Sequence, residues 1–311
     1  AWLDEMRAIT KDDKSPVTIA DFASQAVVAN VLATQLGNSV VLVGEEGSAY
    51  LREPEHVAHL KAALEAAQLV WPEATEDSFL AAIALGDAEP TSDNTYWPLD
   101  PIDGTKGFLR GQQYAIALAW LDHGVPRVGA MACPNLPISH DAPLDAVDAH
   151  GSIYVSVAGE GTLEAPLADK TADATRIVRG DIPEGEAVSA CMSVEKAHSS
   201  TDDTTRVMER VGPAREPARL DSQCKYAVVA RGQADVYLRL PTRKGYVERI
   251  WDHAAGSLVA IEAGCVVSDV TGTPLDFTQG KGLERNRGIV CAPAGVHARV
   301  IQAINDLGLF A

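Results

Sequence analysis

Basic residues are scarce in this chain: 26 Lys and Arg stand against 43 Asp and Glu in 311 residues, a formal charge of −17. That balance disfavours nucleic-acid and anionic-membrane partners, because both need a positive patch. Cysteine is sparse too. Cys133, Cys191, Cys224, Cys265 and Cys291 make no Cys-x-x-Cys spacing and have no neighbouring His of the zinc-site kind, so they read as buried thiols of a reducing compartment. No apolar run reaches the roughly 18 to 20 residues of a membrane span, and no secretory pattern opens the chain. Repeats and low-complexity tracts are also missing. What is left is a globular protein, expected to be cytoplasmic and monomeric, whose 46% apolar residues can fill one large core or two ordinary ones. Ala1 stands where a start Met would, which leaves room for a transit peptide, a tag or a first helix ahead of this numbering.

The most informative stretch is Trp97 to Phe108, where Asp100 and Asp103 flank Pro101 and Ile102 and run into Gly104-Thr105-Lys106-Gly107. Pro101 stiffens the expected loop where the acids sit, and Gly104 lets the chain turn toward an element beginning near Phe108. Two acids three apart beside such a turn can hold a hard cation next to a phosphate, with the Gly-Thr amides facing the anion. Trp97, Leu99 and Ile102 make the stretch too apolar for a solvated surface turn. An EF-hand wants acids at alternate positions, and an aspartyl-nucleophile phosphatase wants Asp-x-Asp-x-Thr; neither pattern is present.

Along the chain, Val17 to Asp21 leads into a helical pattern of Phe22, Ala26, Val27 and Val31, with Asp21 at or near the N-cap. A short strand at 39–43 ends on Gly44-Glu45-Glu46, either a solvated acid pair or acids facing a cleft. Residues 53–90 are helical, and Tyr114–Leu121 and Pro126–Cys133 form a hairpin. A Pro/Asp-rich connection at 134–150 suggests a boundary near 150, dividing the chain into parts 1–150 and 151–311. Residues 151–158 are strand-like and 159–186 a polar excursion. Further on come a helix over 202–211, a helix from Leu220 with Ser222 and Lys225 on one face, a strand at 235–241 and a helix beginning at Trp251-Asp252.

Asp21, Glu45, Asp100, Asp103 and Asp252 thus each lie at the end of an apolar element or the start of a helix. Oxygen-only ligands suit Mg²⁺, which takes a few carboxylates and completes its shell with water and substrate phosphate. Two such ions can drive an in-line phosphoryl displacement.

Gly44-Glu45-Glu46, Trp97-x-x-Asp100-Pro-Ile-Asp103-Gly-Thr105 and Trp251-Asp252-x-Ala-Ala-Gly256 resemble, in the same order, the motifs of the lithium-sensitive, magnesium-dependent phosphomonoesterases that include inositol monophosphatase. The resemblance spans most of residues 16–295. Within that superfamily the chain is most similar to the 3′(2′),5′-bisphosphate nucleotidases of fungal and plant type. The stretches Asp103–Gly111, His198–Ser200, Asp221–Tyr226 and Ala234–Pro241 carry the likeness.

The resemblance implies an α/β fold of alternating helix and sheet layers. It implies two or three Mg²⁺ ions and inhibition by Li⁺. One ion would be held by Glu45, Asp100 and the Ile102 carbonyl, another by Asp100, Asp103 and Asp252. Thr105, hydrogen-bonded to Asp21, would orient the attacking water, while the Gly104 and Thr105 amides hold the reacting phosphate. Ser222, Lys225 and Arg239 match residues that bind a 5′-phosphate, and His198 one lying against adenine. Taken alone, Lys225 and Arg239 also suit a solvated surface and His198 a structural role.

The implied reaction removes the 3′-phosphate of 3′-phosphoadenosine 5′-phosphate, with the 5′-phosphosulfate as a second substrate, in sulfur assimilation and salt tolerance. An inositol monophosphatase or polyphosphate 1-phosphatase is the rival enzyme, and a silent nucleotide sensor the rival of another class. The chain departs from the family in having only about fifteen residues before its Lys14-Ser-Pro-Val-Thr18 segment, and in the Pro/Asp-rich stretch at 134–150.

Overall fold

The computed structural model describes residues 9–10, 16–37, 39–146, 148–194, 201–241 and 245–310. Strands β1 (Ile9–Thr10) and β2 (Pro16–Val17) pair ahead of helix α1 (Ile19–Leu36). Strand β3 (Leu42–Gly44), helices α2 (Ala49–Arg52), α3 (Val57–Gln68) and α4 (Glu76–Ala84), strand β4 (Thr95–Asp103) and the short helix α5 (Thr105–Leu109) follow. A meander then runs through β5 (Ala115–Asp122), β6 (Val125–Cys133), β7 (Ser152–Val157), β8 (Gly161–Pro166) and β9 (Thr175–Ile177). The remainder holds β10 (Ala190–Met192), α6 (Thr201–Val211), β11 (Ala218–Arg219), α7 (Cys224–Ala230), β12 (Val236–Arg239), α8 (Ala254–Ala263), β13 (Cys265–Ser268), β14 (Ile289–Pro293) and α9 (Ala294–Asp306).

Strand alternation explains how these elements stack. In β5, Ala115, Ala117, Ala119 and Leu121 face one core, while Ile116 and Leu118 face another formed with α1, α3 and α4. In β12 and β14, Tyr237, Ile289 and Cys291 face that same first core, and Val236, Leu238, Val290 and Ala292 face a third core with α6 and α9. Both sheets are therefore covered by helices, with α7 and α8 between them, and the order of layers is αβαβα. Every residue of α8 except Ile261 and Glu262 is buried, as a helix between two sheets requires. It approaches β6 at Gly129, where an added Cβ would press on the Ala255 carbonyl at 3.1 Å. The layered α/β architecture expected from the sequence is present.

The first sheet has the order β3-β4-β5-β6-β7-β8-β9, antiparallel except where β3 lies parallel to β4. The second has the order β11-β10-β12-β14-β13. Residues 159–186 are not a plain excursion: β8 and β9 extend the first sheet, because a tight turn after Val157 folds the chain back and pairs Val157 with Gly161. The change of sheet accordingly falls between Ile177 and Ala190, beyond the division drawn near residue 150. The strand β14 and helix α9 that complete the C-terminal layers carry no motif, and the sequence reading passed over them. Among the described residues, no helix is long and apolar enough to cross a membrane.

Asp235, 1% exposed, ties the second sheet together: it accepts from Arg179 Nη2 at 2.7 Å, Arg215 Nη2 at 2.5 Å and Ser189 N at 2.6 Å. Replacing it leaves a nearly buried guanidinium without its carboxylate. Asp235→Ala is expected to lower stability by about 3 kcal/mol in urea denaturation, the usual cost of breaking a buried pair. A loss below about 1 kcal/mol, the range of a surface pair, would show that Arg179 finds another partner.

Candidate active site

The Asp100–Asp103 stretch is strand rather than loop. In a regular strand, residues three apart point to opposite faces, which would separate the two acids. Here the register of β4 against β5 shifts between them: Asp100 pairs with Ala117 and Asp103 with Ala115, so three steps on one strand match two on the other. The extra residue is a β-bulge, and it turns both carboxylates to the same side. Pro101 sits in the bulge, where its missing N–H costs no ladder bond, and Asp100 Oδ1 accepts from Ile102 N at 3.1 Å to close the turn. Glu45 arrives beside them because β3 runs parallel to β4 and Glu45 N donates to Leu99 O at 3.2 Å. Its neighbour Glu46 is buried, its backbone clasped at both ends by the Gln25 amide.

Asp21 occupies the third position of α1, where its Oδ2 accepts from Thr18 N at 2.7 Å and Thr18 Oγ1 at 2.6 Å in a capping box. The capping role read from sequence is real. The Thr105 hydroxyl donates to the Ile102 carbonyl at 3.2 Å, not to Asp21 as the resemblance implied. Gly104 caps α5 with φ of 86°, and a Cβ there would come within 2.8 Å of Ser222 Cβ, so only glycine lets the 222 turn close on the bulge.

Two site residues lie outside the helices expected to carry them. Ser222 has φ of 70° and α7 starts only at Cys224, whose N donates to Ser222 Oγ at 3.2 Å. Asp252 sits in a turn two residues before α8. Gly256, the last residue of its motif, is required because a Cβ would overlap the Tyr226 ring. The sequence reading missed Gln223, which donates its backbone N–H to Asp103 Oδ2 at 2.5 Å. It also missed Glu248 and His253: Tyr226 OH meets His253 Nδ1 at 2.9 Å, His253 Nε2 meets Glu248 Oε2 at 3.2 Å, and Glu248 Oε1 accepts from Arg239 Nε at 2.8 Å. Glu248, Asp252 and His253 approach one another within 4.8 Å, yet Glu248 and His253 are already engaged in this relay. No motif flags such a relay, whose members converge from a strand, a loop and a helix start. His198 lies outside the described residues.

Burial, then the charges of Glu45, Asp103, Asp252 and Asp21, push the Asp100 carboxyl well above its ordinary range. Burial also raises Asp103, against the opposing pull of Lys225, the Gln223 amide, His253 and Arg239. Asp252 is raised to about 7 by burial, with His253 opposing and Asp103 adding to it. Lys225, 5% exposed, is lowered by burial while Asp103 holds its charge; its Nζ stands 5.2 Å from the Tyr237 ring centroid. Burial works against the Arg239 charge, but Glu248, Tyr237, Tyr246 and Asp252 together outweigh it and raise Arg239 well above its usual range. The site thus has a carboxylate end, where Asp100 feels chiefly other acids, and a cationic end formed by Lys225 and Arg239. The carboxylate end, all oxygen donors including the Ile102 carbonyl, fits hard divalent ions.

The layered fold with an acidic cleft between its two sheets defines the class of protein expected above. The chain belongs to the inositol monophosphatase family, which matches residues 4–309. It is 40% identical over 308 residues to a 3′(2′),5′-bisphosphate nucleotidase of Schizosaccharomyces pombe, covering 95% of this chain and 85% of that one. A 3′(2′),5′-bisphosphate nucleotidase of Emericella nidulans is 37% identical over 317 residues, covering 96% and 90%. In fold the chain is similar to an IMPase/NADP phosphatase complexed with Mg²⁺ and phosphate, with a TM-score of 0.62 at 17% identity, covering 99% and 89%.

Carboxyls raised in the folded state bind protons more tightly there than in the unfolded chain, so their contribution to stability falls as pH climbs from about 4 toward 7. A divalent ion among them removes that penalty. Calorimetric melting with excess Mg²⁺ or with EDTA is expected to show a larger Mg²⁺-dependent gain at pH 7.5 than at pH 5. Equal gains at both would mean that these acids do not bind the ion.

Proposed function

We propose that this protein is a divalent-metal-dependent phosphatase that removes the 3′-phosphate of 3′-phosphoadenosine 5′-phosphate, giving AMP and phosphate. The observation that carries the reading is the two-ended cleft, in which Asp103 is within electrostatic reach of both the carboxylates and the Lys225–Arg239 pair. A substrate with two phosphates suits such a cleft better than one with a single phosphate. The names of the 35–40% identical relatives support the same substrate class.

Glu45, Asp100 and the Ile102 carbonyl would hold one Mg²⁺, and Asp100, Asp103 and Asp252 a second. When bound, the ions supply positive charge against the phosphoryl oxygens and lower the pKa of water. The chain itself provides placement. Gly104 and Thr105 offer backbone N–H groups to the transferring phosphate. Thr105 Oγ1 accepts from a water in line with the phosphorus; for that proton to leave, the Thr105 hydroxyl turns from Ile102 O toward Asp21. Ser222, Lys225 and Arg239 hold the non-reacting 5′-phosphate or its sulfated form through charge-assisted bonds. Glu248 and Tyr246 keep the Arg239 fork in place, with Tyr246 OH accepting from Nη2 at 3.1 Å. His198 is assigned to the adenine face.

Every residue invoked comes from one chain, so the reading takes a monomer as the working unit, and it keeps the cytoplasm as its compartment. Li⁺ inhibition and a place in sulfur assimilation and salt tolerance follow from the same family likeness. The cleft draws on both parts of the chain, with Asp21, Glu45, Asp100 and Asp103 from the N-terminal part and Asp252 and the phosphate-binding residues from the C-terminal part.

Phosphate release in Mg²⁺ is expected to be faster from 3′-phosphoadenosine 5′-phosphate than from inositol 1,4-bisphosphate, and to be suppressed by Li⁺. Release from the inositol compound alone would make this an inositol phosphatase, and release from neither would leave a silent binder. Lys225→Ala removes one charge-assisted bond worth about 1.5 to 3 kcal/mol, so kcat/KM for the nucleotide should fall about 10- to 100-fold, mainly through KM. Asp103→Asn should abolish most turnover; near-normal release would show that Asp103 is not a metal ligand.

A further inference from the structure

Three hydrogen bonds meet at one buried residue that belongs to neither the carboxylates nor the phosphate-binding set. The backbone N–H of Gln223 donates to Asp103 Oδ2 at 2.5 Å. Its side-chain Nε2 donates to the Trp251 carbonyl at 2.9 Å, and its Oε1 accepts from Gly256 N at 3.0 Å. Trp251 and Gly256 bracket Asp252, so this one amide grips both ends of the turn that carries it. The grip has a local reason. The Gly256 N–H lies in the first turn of α8, where backbone donors lack intrahelical partners, and the helix N-cap, His253, gives no side-chain cap. In a helix buried between two sheets, water is not at hand to satisfy that donor.

We infer that Gln223 is a positioning residue that sets the span between Asp103 and Asp252 and thereby the affinity of the cleft for divalent cations. This rests on the reading of the carboxylates as a cation site. Asp103 sits at the end of β4 and Asp252 ahead of α8, and of the hydrogen bonds described here only those through Gln223 join the two stretches directly. Nearby packing fixes the amide in turn: Ser222 is pressed against Gly104, and the Tyr226 ring fills the space beside Gly256. The Gln223 bridge is what holds Asp103 and Asp252 at a common site before a cation arrives, in the manner of the outer partners that orient metal ligands.

The test is calorimetric titration of Mg²⁺ into the full chain and into Gln223→Met, which keeps the side-chain length without the amide, and Gln223→Asn, which keeps the amide one methylene short. Melting temperatures and the Mg²⁺ dependence of phosphate release are measured alongside. Mg²⁺ affinity is expected to fall about tenfold in both variants, with turnover largely restored at saturating Mg²⁺. Asp181→Ala, which removes the acceptor of Gly295 N at the start of α9 and of Ile182 N, serves as a destabilised control whose Mg²⁺ affinity stays at the wild-type level. Wild-type affinity in both Gln223 variants would overturn the inference, as would an equal loss in the Asp181→Ala control. If the unaltered protein binds no Mg²⁺, the cation reading itself fails and takes the inference with it, a result separate from loss in the variants alone.

Discussion

Repulsion among carboxylates in a cleft starved of water is the constraint around which this protein is arranged. Asp100 stands at its centre, 2% exposed, and after burial the four groups that act most on it are all acids. A buried, uncompensated cluster of this kind is costly to the fold and is tolerable only with protons or cations among the oxygens. The same cost is the source of affinity for a hard divalent ion. Asp103 and Asp252 are spared the extreme because Lys225, Arg239 and His253 face them, so the deficit of positive charge is steepest at Asp100.

Holding that arrangement requires close backbone approaches, and small or specialised residues appear wherever they occur. The bulge at Asp100–Asp103 converts an unsuitable spacing into a shared orientation. Gly104 admits the Ser222 turn, and Gly256 admits the Tyr226 ring. A larger residue at either position would force the Ser222 turn or the Tyr226 ring to shift.

The charge gradient along the cleft also shapes what can enter. A chain of net charge −17 repels anions over most of its surface. Lys225 and Arg239 supply a local exception, and Glu248 tempers Arg239 by pairing with it; against burial, which raises it, Arg239 and His253 hold Glu248 down at a pKa of about 2. In the proposed function, a substrate with two anionic groups would set one against these cations and the other beside the carboxylates.

Much of this was visible in the sequence. The five acids, the capping role of Asp21, the β5–β6 hairpin and the layered architecture rest on local patterns and on motif likeness, which depend on near neighbours in the chain. Other features escaped it. The helices expected from 220 and 251 begin four and three residues later, because Ser222 and Asp252 are held out of helical geometry by contacts with distant residues. Strand β8 was hidden because its polar Thr162 and Glu164 are the buried residues and Leu163 the exposed one, and β9 because Thr175 and Arg176 face solvent at the edge of the sheet. The Thr105 hydroxyl turned to Ile102 and not to Asp21. Sequence alone marked which side chains could carry the proposed chemistry, since oxygen donors, cations and turn residues are properties of residue type. Tertiary structure decided their pKa values, their pairing and the role of Gln223, because these depend on which residues come within hydrogen-bond distance, from Arg239 and Glu248 nine positions apart to Asp103 and Gln223 at 120.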